Sequence, residues 1–508
     1  MDLLWVLLSA LMLALSRLPI HCGWMVFFGW IPLLYVLERR KVKLWQAGLL
    51  FSIVYIGVVM YWIAGVTFFG LIGIAIVYFL FYWLCFYAIS RIGRFYPRLF
   101  YPNFIAVMLS FEYLQNFGET RFPWFNNAYS LSDYTVLIQA GDLGGVILLS
   151  LLILLINVLL YEVLLKKKKQ CLLYVAGIFI LWIGYGIYCL NYLPVQKQDP
   201  KITVMQPSIP QDEKWDESAY QQILHRYDAL CAQAKKDSTK LIIFPEAAMP
   251  VYLMYDYRAR NYLNDLMQKY ELEIFTGFPH FTLAPENHIN SELYYNAAAL
   301  FHPDGSISEL YYKNILVPVG ERMLWLNVFP FLWKLQFGQA NWEFGNGPVY
   351  YQTDSLTFSP SICYELAFAE FHQQMAIRKD KTTGKLKKAD FLVNITNDAW
   401  FGATSAPYQH FSMTVFRAIE NRLYLVRAAN TGISAVVNPK GEIVSQTNIF
   451  ERAALKGNVK YVNIRTIYAQ YGDVLVIFCF ILTASYFILA LWKRRTKNGG
   501  RKSARCNT

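Results

Sequence analysis

Apolar residues follow two rhythms along this chain. Up to about residue 195 they form long runs, broken only by short polar or basic clusters. A helix needs about 20 such residues to cross ~30 Å of hydrocarbon. The runs predict spans at roughly 3–16, 21–37, 45–65, 70–90, 101–116, 141–165 and 171–193, with an eighth at about 473–492. The first run has no basic stretch ahead of it and no small-residue cleavage site behind it, so it reads as a retained span rather than a signal peptide.

From about residue 200 to 471 the apolar runs shorten and alternate with amphipathic stretches. KITVMQ (201–206), LIIFPEA (241–247), EIFTGF (273–278), YNAAALFHPDG (295–305), SLTFSPSICYE (355–365) and DFLVNITND (390–398) read as strands. The stretch 423–443 reads as two more strands around an Asn-Pro-Lys-Gly turn. Helical periodicity occupies 216–236, 256–270 and 408–421. Strands alternating with helices predict an α/β layered core. The run RKDKTTGKLKK (378–388) is hydrophilic and predicts a solvated surface loop. The domains expected are therefore a membrane part over 1–195, a soluble α/β part over 200–471, one more span at 473–492 and a basic tail over 493–508.

Composition sharpens this division. Charged residues make up only 16% of the 508 and hydrophobic ones 56%, whereas soluble domains carry about 25% charge. Only eight of the 35 acidic residues precede Pro200, so the early part of the chain suits lipid. The net charge of +12 is spread in clusters between the apolar runs: 39–43, 91–98, 166–169 and the tail after 492. With the N-terminus cytoplasmic, the loops after even-numbered spans hold four, three, four and seven Lys/Arg, and the opposite short loops hold little beyond Arg17 and Arg121. That asymmetry follows the positive-inside rule and predicts both termini inside, with the α/β part outside, in a bacterial periplasm. It argues against nucleic-acid binding, which would gather such charge on one folded face. The eight cysteines contain no CxxC and no zinc-ligand spacing. No metal and no cofactor are predicted.

Three residues at predicted strand ends carry candidate chemistry: Glu246 after LIIFP, Lys313 after LYY, and Cys363 in SICYE. Strand ends are where open α/β sheets assemble their sites. Together the three offer a thiol nucleophile, a carboxylate to take its proton and a cation for an oxyanion. Singly, each has an ordinary explanation: a packed thiol, a helix-capping carboxylate, and a lysine whose stem lies along an apolar surface.

Their order and surroundings change the weighting. Glu in FPEA, Lys in YYKNILVPVGE and Cys in ICYE resemble the Glu-Lys-Cys arrangement of the nitrilase superfamily. TVMQPSIPQDEKW (203–215), LIIFPEAAMP (241–250), KNILVPVGE (313–321), NITNDAWFG (394–402), APYQHF (406–411) and RAANTGISAVV (427–437) extend the resemblance to its membrane-embedded branch, the apolipoprotein N-acyltransferases. Arg322 and Ala403 depart from that family's usual text.

The resemblance implies a polytopic α-helical membrane protein of about eight spans, carrying an extracytoplasmic nitrilase-like α-β-β-α sandwich. It implies Cys363 as nucleophile, Glu246 as general base and Lys313 as oxyanion stabiliser. Glu321 would support the lysine, and Tyr364 and Glu365 would shape the pocket. The implied reaction moves an acyl chain from the sn-1 ester of a membrane phospholipid, phosphatidylethanolamine first among them, through a Cys363 thioester. The acceptor is the α-amino group of a diacylated apolipoprotein. A membrane-tethered amidase using water, and a non-catalytic transporter or scaffold, are the alternatives. Finally, the segment after Glu321 carries Trp325, Phe329, Phe331, Trp333, Phe337 and Trp342. It reads either as core or as an irregular arm resting at the membrane surface and acting as a lid over lipid entry.

Overall fold

The computed structural model of the protein describes residues 2–194, 201–216, 218–286, 288, 290–334, 341–353, 356–379, 383–460 and 462–506. The chain divides into two compact units. One comprises Met1–Phe117, Phe122–Ile187 and Asp473–Thr508; the other comprises Gly118–Arg121 and Tyr188–Gly472.

The first unit is helical. Among the described residues, four helices are long and apolar enough to cross a membrane: Phe68–Phe95, Gly141–Lys166, Cys171–Tyr192 and the Val474–Lys493 part of the last helix. Asp2–Leu15 and Leu44–Val59 are shorter apolar helices. The expected span at 21–37 is instead a single 3-10 turn, Gly23–Phe27, followed by a nine-residue helix, Ile31–Arg39. Pro32 opens that helix, because a residue without an N–H fits the first turn and not the middle of a longer one. Several buried polar side chains of this unit are paired. Asn157 donates to the Val26 and Ile153 carbonyls at 2.9 Å and accepts from the Trp30 N–H at 3.0 Å. The Trp30 indole donates to Asn127 at 2.8 Å.

The second unit is a two-sheet sandwich. One six-stranded sheet has the spatial order Ala453–Asn458, Lys201–Gln206, Leu241–Ile243, Glu273–Leu283, Glu292–Phe301, Tyr311–Tyr312. The other runs Ile443–Gln446, Ala435–Val437, Tyr424–Ala429, Phe391–Thr396, Thr357–Ile362, Tyr351–Gln352. Each has a parallel centre flanked by antiparallel strands. The central strands are buried along their length, as strands covered on both faces are. Phe275 of the first sheet packs edge-on against Phe358 of the second, ring centroids 5.2 Å apart, so the inner faces are in contact.

Helices cover the outer faces. In Tyr257–Tyr270 the buried residues Ala259, Leu263, Leu266, Met267 and Tyr270 recur at helical spacing and pack on the first sheet. Asp256 caps this helix by accepting from the Ala259 N–H at 2.9 Å, an interaction worth about 1 kcal/mol. Glu271 ends it in a left-handed conformation. Ala406–Asn421 is buried along its length beside the second sheet. The layers are therefore α-β-β-α. The flanks of the predicted loop at 378–388 pair as an antiparallel ribbon, Ile377–Lys379 with Leu386–Lys388. Residues 380–382 lie outside the described residues.

Candidate active site

Cys363 stands where strand Thr357–Ile362 turns directly into a 3-10 helix, Cys363–Ala367. Its φ is +51°, a left-handed value that a residue with a Cβ takes only when its surroundings force it. Ala247 (φ +45°), next to Glu246, and Val319 (φ +64°), between Lys313 and Glu321, share this strain. Three such residues beside three candidate groups mark a site whose backbone is held against its preference.

The forcing comes from a buried network under the cysteine. The Cys363 carbonyl accepts from Nε2 of His410 at 3.1 Å. A carbonyl can only accept, so Nε2 carries a proton. Burial first, and then the Arg427 guanidinium, push the His410 pKa down, leaving a neutral ring. Arg427 in turn contacts Asp398 at 2.9 Å and donates to Asn394 at 2.6 Å. Burial would raise the Asp398 carboxyl, but Arg427, His410 and the Thr396 hydroxyl together outweigh it and hold this acid well below the usual carboxylate range. The second anchor is Glu365. Its carboxylate accepts from the Ile362 N–H at 2.6 Å, the Asn314 and Ile315 N–H groups at 2.5 and 3.1 Å, and the Tyr311 hydroxyl at 2.5 Å. It ties the turn carrying Cys363 to the segment following Lys313. Burial pushes its pKa up to about 7.

Glu246 and Lys313 face each other. Lys313 is fully buried, with Nζ 2.8 Å from Glu321 and 3.6 Å from Glu246. Burial alone would lower its pKa, but the two carboxylates prevail and keep the ammonium charged. The oxygens of Glu246 are fixed by Asn296 Nδ2 at 2.7 Å and by the Asn397 N–H at 2.8 Å. Asn296 also reaches Glu321 at 3.5 Å, while the second oxygen of Glu321 accepts from the Val317 N–H at 2.8 Å. The Cys363 thiol is pushed well up, by burial and then by the Glu246 charge, with Lys313 opposing. It rests protonated within the field of a carboxylate and an ammonium. A carboxylate near a neutral thiol, with a charged donor beside both, is equipped for general-base attack on a carbonyl.

Sequence reasoning named Glu246, Lys313, Glu321, Cys363, Tyr364 and Glu365, and the structure gathers all six around one turn. It missed Asn296, Asn397, His410 and Arg427, of which the last three lie in motifs the sequence singled out without assigning roles. It also missed Lys214, buried in the motif QDEKW, whose Nζ donates to the Glu246 carbonyl at 2.9 Å. Burial pulls the Lys214 pKa down to about 8, with the Glu246 charge opposing.

The aromatic segment after Glu321 is divided. Met323 and Leu326 are buried, whereas Trp325, Phe329 and Phe331 are 46%, 48% and 63% exposed. Trp333 is half-buried against the Arg322 guanidinium, 5.5 Å from its ring. Arg322 anchors the segment's base through Glu343 at 2.9 Å. Phe337 lies outside the described residues.

Two family models match the chain. Carbon-nitrogen hydrolase covers residues 201–468, and the N-terminal domain of apolipoprotein N-acyltransferase covers residues 9–159. An apolipoprotein N-acyltransferase of Geobacter metallireducens is 31% identical over 94% of this chain and 93% of its own length. One from Rickettsia prowazekii is 32% identical over 76% of this chain and 75% of its own. Among solved structures, an amidase from Nesterenkonia sp. aligns at 20% identity and a TM-score of 0.38, covering 55% of this chain and 95% of that one.

Proposed function

This chain belongs to the apolipoprotein N-acyltransferase family, and from that premise we propose that it transfers an acyl chain from a membrane phospholipid to the N-terminal amine of a diacylated apolipoprotein. Cys363 attacks the sn-1 ester carbonyl while its S–H proton passes to Glu246. The oxyanion takes the N–H groups of Lys313 that Glu321 leaves available. The C–O bond then breaks, Glu246 returns the proton to the departing lysophospholipid alkoxide, and a thioester remains on Cys363. The lipoprotein's α-amino group attacks this thioester, gives its proton to Glu246, and the thiol reforms as the amide leaves.

A thiol suits both halves, because a thioester is reactive enough to acylate an amine and splits one hard transfer into two easier ones. The apolar helices suit two lipid-anchored substrates. The exposed aromatics Trp325, Phe329 and Phe331 fit an arm resting at the headgroup level and admitting the acyl chain. On this reading the chain lies in a bacterial inner membrane, with the sandwich in the periplasm and both termini in the cytoplasm.

The single observation that carries the reading is the convergence of Glu246, Lys313 and Glu321 around the strained Cys363 turn. Incubation with acyl-labelled phospholipid, followed by denaturing electrophoresis, tests it. A hydroxylamine-labile label on the protein is expected. It should be absent in Cys363→Ala and strongly reduced in Glu246→Gln and Lys313→Ala. Undiminished labelling of Cys363→Ala would remove the thioester from the account.

A further inference from the structure

Beside the catalytic turn lies a cleft of about 260 Å³, lined by Glu119, Arg121, Val317, Pro318, Leu324 and Phe344 among others. All of these residues belong to the second unit. Its two walls continue the catalytic loops. Val317 donates its N–H to Glu321, the partner of Lys313. Tyr364, the residue after the nucleophile, donates its hydroxyl to the Arg121 carbonyl at 2.7 Å. Whatever occupies the cleft therefore lies against the segments that hold the oxyanion lysine and the thiol.

Arg121 is a half-buried cation of this unit. Its guanidinium lies 5.8 Å from the Phe344 ring and 5.9 Å from the Phe368 ring. Among the described residues it has no carboxylate or carbonyl at contact distance. By contrast Arg322, on the same cleft, is satisfied by Glu343, the Trp342 carbonyl and Asn327. Arg121 is partly stripped of water, its pKa lowered by burial, with only the more distant Tyr364, Glu119 and Glu365 opposing. Two residues earlier, Glu119 lines the same space, also without a contact partner among the described residues. A desolvated cation and a carboxylate held apart, neither paired, leave one acceptor and one donor to be supplied from outside.

We propose that this cleft is the headgroup subsite of the acyl donor, in which Arg121 holds the phosphodiester of a glycerophospholipid and Glu119 holds a primary ammonium attached to it. The proposal rests on the phospholipid-to-lipoprotein reading of the catalytic turn. A guanidinium presents a planar fork that matches two phosphate oxygens. The cleft, at about 260 Å³, has room for a group the size of phosphoethanolamine. The rings of Phe344 and Phe368 fix the fork without competing for its N–H groups. Glycerol is a short tether, so a phosphate held here leaves the adjoining ester carbonyl in the neighbourhood of the Cys363 turn.

Two arms test the proposal. In the first, Cys363→Ala protein in detergent is titrated with sn-glycero-3-phosphoethanolamine, followed by broadening of its ³¹P resonance. Broadening is expected, is lost in Cys363→Ala/Arg121→Gln, and is not reproduced by inorganic phosphate. Retention of broadening in the Arg121 variant, or equal broadening by inorganic phosphate, overturns the site whatever the fate of the catalytic reading. In the second arm, acyl-enzyme formation is compared between phosphatidylethanolamine and p-nitrophenyl palmitate, an ester with no phosphate. The ratio of kcat/KM for the two is expected to fall roughly ten- to a hundredfold in Arg121→Gln, the scale of a lost charge-assisted hydrogen bond. Arg121→Lys should restore part of it. Glu119→Gln should narrow the preference for phosphatidylethanolamine over phosphatidylglycerol. An unchanged ratio, both esters falling together, would make Arg121 a structural residue only.

Discussion

Gly277 lies in the strand Glu273–Leu283 with its backbone pressed against the turn that carries Glu246. A Cβ built there would stand 2.8 Å from the Ala247 nitrogen and 3.1 Å from the Glu246 Cα. Neither neighbour is a flexible side-chain end, so the Glu246 turn itself has to move. Gly277→Ala is expected to fold, because the strand's hydrogen bonds are untouched, yet to slow acyl-enzyme formation by roughly a hundredfold, the cost of an ångström-scale misplacement. Single-turnover labelling beside a thermal melt checks this; a normal rate in a folded variant would detach Gly277 from the site. Lys214 offers a test in pH. Its ammonium anchors the Glu246 carbonyl and is charged below about pH 8. Acylation is expected to slow as pH rises through that value, and Lys214→Met should lack that limb. Stability moves the other way. Between about 8 and the ordinary lysine value the unfolded chain holds a proton that the folded chain has released, so stability rises with pH there. A rate limb that persists in Lys214→Met would assign it to another group. At this scale the sequence was legible where chemistry and strand ends coincided, at Glu246, Lys313 and Cys363. It was silent on Asn296 and His410, since asparagine in a strand and histidine in a buried helix have many structural uses. Only the fold shows what they touch.

Elements were legible in proportion to their length and burial. The strands read at 201–206, 273–278, 355–365 and 390–398 are found at 201–206, 273–283, 357–362 and 391–396, and the helices read at 216–236, 256–270 and 408–421 at 220–236, 257–270 and 406–421. The edge strands Tyr311–Tyr312, Tyr351–Gln352 and Ile443–Gln446 do not follow from pattern. Two to four residues carry too little periodicity, and their pairing depends on a neighbour distant in sequence. The aromatic segment after Glu321 belongs to this scale too. Its exposed members Trp325 and Phe329 are turned from the side that buries Met323 and Leu326, so their loss should spare the fold. Replacing both with Ser is expected to slow acylation by bilayer phospholipid while leaving the reaction of Cys363 with a small water-soluble thiol reagent near normal. Joint loss of both reactivities and of thermal stability would make the segment core and the lid idea wrong.

For the whole molecule, the division into a lipid-suited part and an α/β part could be read from composition, because charge is scarce before Pro200 and ordinary after it. The number of spans could not. Hydropathy alone does not separate a 17-residue crossing from a 3-10 turn plus a nine-residue helix, as at 21–37. Orientation rests on where Lys and Arg fall. Reporter fusions after Lys169, within 378–388 and at Thr508 are expected to report cytoplasm, periplasm and cytoplasm, and a periplasmic signal at Thr508 would overturn the assignment of the last helix. The most direct test of the central claim is intact mass spectrometry of the purified protein in two steps. After incubation with a phospholipid of defined chains, the protein is expected to gain one acyl mass, and Cys363→Ala none. On adding a diacylated lipopeptide with a free α-amine, the protein should return to its original mass and the peptide should gain that same acyl chain. An adduct on Cys363→Ala, or an adduct discharged only as free fatty acid with the peptide unchanged, would contradict the account.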